Sequence, residues 1–162
     1  NQQQQLKDQE KQLIQSRTAV ALGQIRSHFI FNLLNAISGM CKSNPAKADE
    51  TIVRFSRYLR TNIDILQSDE LIPFCQILEN LEDYIVLEQV RFGDRIEFEA
   101  DIEEEDFLLP TLVLQPIVEN AIKHGLTARL EGGTIRLSTR SDSKWVYITV
   151  TDDGVGFEQH EL

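Results

Sequence analysis

Ahead of residue 93 the apolar residues of this chain recur at helical spacing; beyond it, stretches that alternate apolar with polar appear. The chain therefore reads as helices followed by a mixture of helices and strands. Leu6, Leu13 and Val20 fall seven apart, joined by Ile14 and Ala21, a short heptad pattern that predicts a coiled-coil lead-in. At about 100° per residue, Leu22, Ile25, Phe29, Leu33 and Met40 form one stripe of the helix that continues it. "KSNPAK" breaks that helix at Asn44-Pro45. A second helix is expected from about Ala46 to Leu66, with Ile52, Phe55, Leu59, Ile63 and Leu66 as its apolar stripe. Two helices across a short turn make an antiparallel hairpin. Each stripe is too broad for a single partner, so the hairpin gains by dimerising into a four-helix bundle.

A second module begins at "LIPFCQILENLEDYIVLEQVRFGDR". Pro73 suits a helix start and Gly93 a helix stop. "RIEFEADI" alternates as a strand with one buried face. A helix around Leu112 to His124 follows, then Gly132 and Gly133 in a loop, the strand "GTIRLSTR" and the strand "WVYITVTDD" running into Gly154. Helices with mostly antiparallel strands give an α+β sandwich. The expected division is a helical hairpin with its lead-in over residues 1–67 and an α/β sandwich over 68–162.

Charge sharpens this division. Of 162 residues, 41% are hydrophobic and 26% charged, as in a globular chain, and the net charge is −10. Residues 1–40 carry four basic against two acidic side chains, whereas residues 94–162 carry six against fifteen. So acidic a chain lacks the basic clusters that neutralise nucleic-acid phosphates, and a nucleic-acid partner is excluded. Cys41 and Cys75 stand in no metal or redox spacing and read as small buried apolar residues in a reducing compartment. No apolar run approaches the roughly 20 residues of a membrane span. The opening "NQQQQLKDQEKQL" reads as an internal segment, so the chain is compatible with the cytoplasmic part of a membrane protein.

The candidate chemistry starts with His28. On a helix it shares a polar strip with Gln24, Asn32 and Asn35, beside the apolar stripe. With only three histidines and no paired spacing, zinc-type binding is discounted. "LVLQPIVENAIKHG" puts Glu119, Asn120, Lys123 and His124 on successive turns of one helix. An asparagine oxygen ligates a hard cation, and a lysine one turn on meets phosphate oxygens as a point charge. "TDDGVGF" follows a strand directly: Asp152 is a carboxylate at the strand end, and Gly154 and Gly156 allow backbone to approach a ligand.

In their order these motifs resemble those of the sensor histidine kinases of the LytS type, within the group that shares the Bergerat ATP-binding fold. "QIRSHFIFNLLNAI" is similar to the phosphoacceptor motif, "LEDYIVLEQVRFGDR" to the linking helix and arginine-containing turn, "LPTLVLQPIVENAIKHG" to the N box, and "VTDDGVGF" to the first glycine box. The resemblance implies a homodimeric kinase with His28 as phosphoacceptor, Asn120 as magnesium ligand, Lys123 as a phosphate contact and Asp152 as acceptor of the adenine amine. Glu119 and His124 belong to the same box, and Gly154 and Gly156 to the nucleotide loop. It further implies ATP and Mg2+ as cofactors, a response-regulator receiver domain as partner, and a membrane-spanning sensor region upstream of residue 1. The chain is then the cytoplasmic portion of a bacterial membrane sensor. Ser27 stands where the family usually has proline. Phe29 stands where many kinases carry an acid beside the histidine, which leaves Glu119 as a candidate to orient His28. Asn32 is a candidate for positioning water in dephosphorylation of the receiver. The match stops at the first glycine box, so the Bergerat domain is expected to be partial, without the second glycine box and ATP lid. A non-catalytic dimeric scaffold and a Bergerat-fold ATPase are the competing readings; the intact His28, Asn120 and Asp152 argue against the first, and the second leaves the "SHFIFN" helix without a purpose.

Overall fold

The computed structural model of the chain describes residues 27–67, 71–110, 113–127 and 129–156. The chain divides into two compact units between Glu70 and Leu71. The heptad positions from Leu6 to Ala21, together with Leu22, Gln24, Ile25 and Leu112, lie outside the described residues.

In the first unit, α1 (Ser27–Ser43) and α2 (Pro45–Gln67) are separated by Asn44 alone. Asn44 ends one helix and starts the other. Its N–H donates to the Met40 carbonyl at 2.8 Å, and its side-chain oxygen accepts from the Lys47 N–H at 3.1 Å. That is an N-cap, with Pro45 in the first helical position where it forfeits no hydrogen bond. Helix α1 buries Phe29, Leu33 and Ile37. The Phe29 ring meets those of Phe55 and Tyr58 edge-on, at 6.4 and 5.8 Å between centroids.

The buried stripe of α2 differs from the expected one. It runs Ala48, Thr51, Phe55, Tyr58, Asn62, Ile65, whereas Ile52 is 45% exposed. The helix is rotated because the aromatic pair fixes its register against α1, and the polar members of the stripe bond internally. The Asn62 amide donates to the Tyr58 carbonyl at 2.7 Å, and the Thr51 hydroxyl to the Lys47 carbonyl at 2.7 Å. Phe31, Leu34, Ile52 and Val53 stay exposed, an apolar flank that one hairpin does not cover.

In the second unit, β1 (Ile72–Pro73) leads into α3 (Phe74–Phe92), which Gly93 ends with its N–H on the Gln89 carbonyl. A 3-10 turn, Gly93–Arg95, delivers the chain to β2 (Ile96–Ile102). Then come β3 (Leu108–Leu109), α4 (Leu114–Asn120) with a π-helical continuation over Ala121–Leu126, β4 (Gly133–Ser141) and β5 (Val146–Asp152). The short β1 and β3 pair antiparallel, with Phe74 stacked on Phe107 at 4.6 Å beside them. The main sheet has the order β2-β4-β5. The β4–β5 ladder is antiparallel but β2–β4 is parallel, because the chain between those two strands passes through α4 and returns in the same direction. Fold class is as the pattern implied, an α+β chain with a helical hairpin followed by a two-layer sandwich.

The two faces of the sheet differ. Ile135, Leu137 and Thr139 of β4 are wholly buried on the side that meets the helices, with Leu81, Ile85, Val118, Ile122 and Leu126 in the same core. The opposite face carries cross-strand pairs in register: Glu97 with Thr134, Glu99 with Arg136, and Asp101 beside the Arg140 guanidinium. Cys41 and Cys75, expected to be buried, are both exposed, each in a terminal turn of its helix where fewer side chains surround it.

Leu137 is wholly buried at the middle of the central strand, so Leu137→Ala should cost about 2–5 kcal/mol through lost transfer energy and the cavity left behind. Trp145, the single tryptophan, begins the β5 arm and reports unfolding of this unit in urea. A loss under about 1 kcal/mol would mean that the face around Leu137 is not the core.

Candidate functional site

The alternation that makes β5 a strand also aims its last residue. Ile148 and Val150 lie opposite Thr139 and Leu137, and Asp152 lies opposite Ile135, so all three share the helix-facing side. Where that apolar row ends in Asp152, a carboxylate emerges against the π turn. There a cleft of about 310 Å³ opens, with Asn120, His124 and Asp152 as its polar groups. Ile117, Ala121 and Val150 supply apolar walls, and Gly125 and Gly156 complete the lining.

Backbone contact holds this cleft together. A Cβ on Gly154 would lie 2.3 Å from the Gly125 Cα, and one on Gly125 would lie 2.7 Å from the Asp152 carboxylate. Only residues without a side chain let helix and loop meet this closely. The Asp152 carboxylate also accepts from the Gly154 N–H at 3.0 Å, which folds the loop back on the strand end. Asp153 anchors the loop on its other side, its carboxylate accepting from the Thr134 N–H at 2.8 Å and its carbonyl from Arg129.

Beneath the helix lies a charged cluster. Glu88 is buried on α3, accepting from the Tyr84 hydroxyl at 3.0 Å and from Arg91 at 2.6 Å. Burial pushes the Glu88 carboxyl above the ordinary carboxylate range and the nearby charge of Glu119 pushes the same way, while Arg91 and Tyr84 oppose them. Glu119 itself accepts from the Gln115 amide at 2.9 Å.

In the first unit, His28 is exposed on α1 with the Asn32 amide nitrogen 3.1 and 3.2 Å from its two ring nitrogens. The amide donates to whichever nitrogen holds the lone pair. Asn35 is also exposed, as its place on a polar strip requires.

Of the residues singled out from sequence, the cleft brings together Asn120, His124, Asp152 and Gly156. Gly154 packs behind it against Gly125, so the close approach it permits is to the helix backbone. Lys123 is exposed and, like Glu119, is outside the cleft lining, while His28 and Asn32 belong to the first unit. Sequence reading missed Gly125 and the apolar walls. The available signal was a glycine directly after His124, in a helix where glycine is otherwise costly.

The histidine kinase family matches residues 17–96, and the family of histidine kinase-, DNA gyrase B- and HSP90-like ATPases matches residues 105–162. The sensor histidine kinase YpdA of Escherichia coli (strain K12) is 43% identical over 135 residues, which are 83% of this chain and 24% of that protein. The sensor protein LytS of Oceanobacillus iheyensis is 35% identical over 143 residues, 86% of this chain and 24% of that one. LytS of Bacillus subtilis (strain 168) is 33% identical over 153 residues, 93% of this chain and 24% of that one. The chain thus spans about a quarter of the length of these relatives. Among solved structures, the histidine kinase domain of the Erythrobacter litoralis EL346 blue-light activated kinase gives a TM-score of 0.49 at 18% identity, covering 94% of this chain and 75% of that one.

The environment of Glu88 has a pH signature. Its carboxyl is held above its ordinary value of 4.5, so its share of stability is fully present below that value and is lost as pH rises through the folded-state value. The stability of the native chain relative to Glu88→Gln, measured by urea unfolding across pH, should be greatest below pH 4.5 and shrink toward neutrality. A relative stability that grows with pH would overturn this account of the cluster.

Proposed function

We propose, from the premise that this chain belongs to the LytS-type sensor histidine kinases, that it transfers the γ-phosphoryl group of ATP to His28 and passes it on to an aspartate of a response-regulator receiver domain. The observation that carries this reading is the cleft in which the Asn120–His124 helix faces Asp152.

Each group has a chemical task. Asp152, a carboxylate at the end of an apolar row, accepts from the exocyclic amine of adenine, and Ile117, Ala121 and Val150 take the faces of the base. Lys123, exposed beyond the cleft, serves the phosphates as a point charge, and His124 lines the same wall as Asn120. Magnesium fits this site. It binds through one or two protein oxygens plus substrate phosphates and water, and the Asn120 amide at the cleft provides one such oxygen. When bound, the ion neutralises charge on the transferring phosphoryl group. A neutral His28 nitrogen attacks phosphorus in line: a P–N bond forms, the P–O bond to ADP breaks, and the proton on the other ring nitrogen leaves to a base. Glu119 is the candidate for orienting His28, where Phe29 replaces the usual acid, and for taking that proton.

Residues 1–67 would form the dimerising phosphotransfer module and 68–162 the ATP-binding domain. The exposed flank of Phe31, Leu34, Ile52 and Val53 supports a homodimer, since one hairpin leaves it in water. Among the described residues no helix is long and apolar enough to cross a membrane. The chain's relation to LytS supports a cytoplasmic portion of a membrane sensor, the span lying elsewhere in the full protein.

The full-length protein incubated with magnesium and γ-labelled ATP should acquire acid-labile, base-stable label that His28→Gln abolishes. Glu119→Gln should slow labelling by about 10² or more if it takes the proton. Nucleotide binding without label on His28 would favour a scaffold or an ATPase. Asn32→Ala should lower receiver dephosphorylation while leaving ATP binding intact. Unchanged phosphatase activity would remove Asn32 from that role.

A further inference from the structure

Two arginines outside the cleft connect the end of α3 to the loop that carries Asp152. Arg95 closes the 3-10 turn after α3, and its guanidinium donates to the carbonyls of Thr127, at 3.3 Å, and Arg129, at 2.5 Å. Thr127 ends the π turn, its N–H on the Ile122 carbonyl at 3.0 Å. The contact is close along its length: Gly132 has φ 76°, and a Cβ there would lie 2.0 Å from the Arg95 carbonyl oxygen. The segment following the helix is therefore seated on Arg95.

From that seat the Arg129 side chain reaches 24 residues along the chain and donates to the carbonyl of Asp153 at 2.5 Å. Asp153 stands between Asp152, whose carboxylate faces the cleft, and Gly154, which touches Gly125. The Arg129 guanidinium also lies 3.6 Å from Glu131, which holds its far side. The loop thus has one anchor on the sheet, through Thr134, and a second on the helix side, through Arg129.

We propose that Arg129, with its backbone held by Arg95, is a positioning residue that fixes the Asp152–Gly156 loop and thereby sets the affinity of the cleft for nucleotide. This rests on the reading of the cleft as a nucleotide site. Arg129 is not among the residues that line the cleft; it acts through the Asp153 carbonyl. Its effect therefore falls on binding and not on the phosphoryl step.

The test uses the full-length protein, a fluorescent ATP analogue with magnesium, and steady-state autophosphorylation. Arg129→Gln should raise both the analogue's Kd and KM for ATP about tenfold or more, the low end of what losing one hydrogen bond from a charged donor costs. The kcat at saturating ATP should stay within about twofold, because the reacting groups are untouched. Arg129→Lys, which keeps a single charged donor, should recover most of the affinity. Unchanged Kd in Arg129→Gln, beside loss of binding in Asp152→Asn, would overturn the role of Arg129 and leave the nucleotide site standing. A native protein that binds no analogue would remove the nucleotide reading, and this inference with it. A fall in kcat at constant KM would also overturn the proposal.

Discussion

The second unit depends on a contact between two glycines. Gly125 at the end of the helix and Gly154 just after β5 approach until no side chain fits between them. The geometry of everything around the cleft follows. The loop must turn directly after Asp152, the Asp152 carboxylate must lie alongside the Gly125 backbone, and the wall carrying Asn120 and His124 must face the strand end. Larger residues would wedge helix from strand and open the cleft to water. A small site with one carboxylate and apolar walls suits a flat heteroaromatic group with an amine at its edge. Such a ligand gains from both apolar burial and a hydrogen bond to a group held in place beforehand.

The charges sort by face. The outer side of the sheet carries Glu99 and Asp101 against Arg136 and Arg140, pairs that water screens and that contribute little stability. Their value is to let the sheet keep a wet face, so that α3 and α4 cover one side only. Glu88 and Arg91 are a different case, taken out of water between Tyr84 and the neighbourhood of Glu119. A buried pair of this kind costs desolvation on both partners, and removing one leaves the other uncompensated. It is weak evidence for stability.

Much of this was legible in the sequence, for local reasons. Asn44-Pro45, Pro73 and Gly93 mark helix ends because their backbone chemistry permits little else, and the structure breaks or caps its helices there. The alternation in β4 and β5 reads directly as strand. What pattern could not supply was pairing: β2 alternates as an antiparallel strand would, and only the path of the chain through α4 makes its ladder with β4 parallel. In the hairpin, hydropathy pointed to Ile52, Leu59 and Ile63, whereas Thr51 and Asn62 are buried because their polar side chains bond within the helix, and Tyr58 because its ring packs on Phe29. His28 was legible as a residue on a polar strip. Its contact with Asn32 follows from the four-residue spacing.

The least legible feature is also the one that builds the cleft. On a straight α-helix, at about 100° per residue, Ile117, Asn120, Ala121, His124 and Gly125 share one face, with Asn120 and Gly125 at its opposite edges, roughly 140° apart. The π continuation over Ala121–Leu126 widens the turn, with the Thr127 N–H reaching the Ile122 carbonyl five residues back. At about 4.4 residues per turn, five residues advance only about 50° beyond a full circle, so Gly125 comes round to the side of Asn120 and Ala121. Sequence periodicity assumes the α-helical step and so sets this glycine at the edge of the lining face, one turn after Ala121. The π turn thus brings Gly125 toward the middle of the face, where it meets Gly154, while Asn120, placed on the last turn of ordinary helix, lines the same cleft.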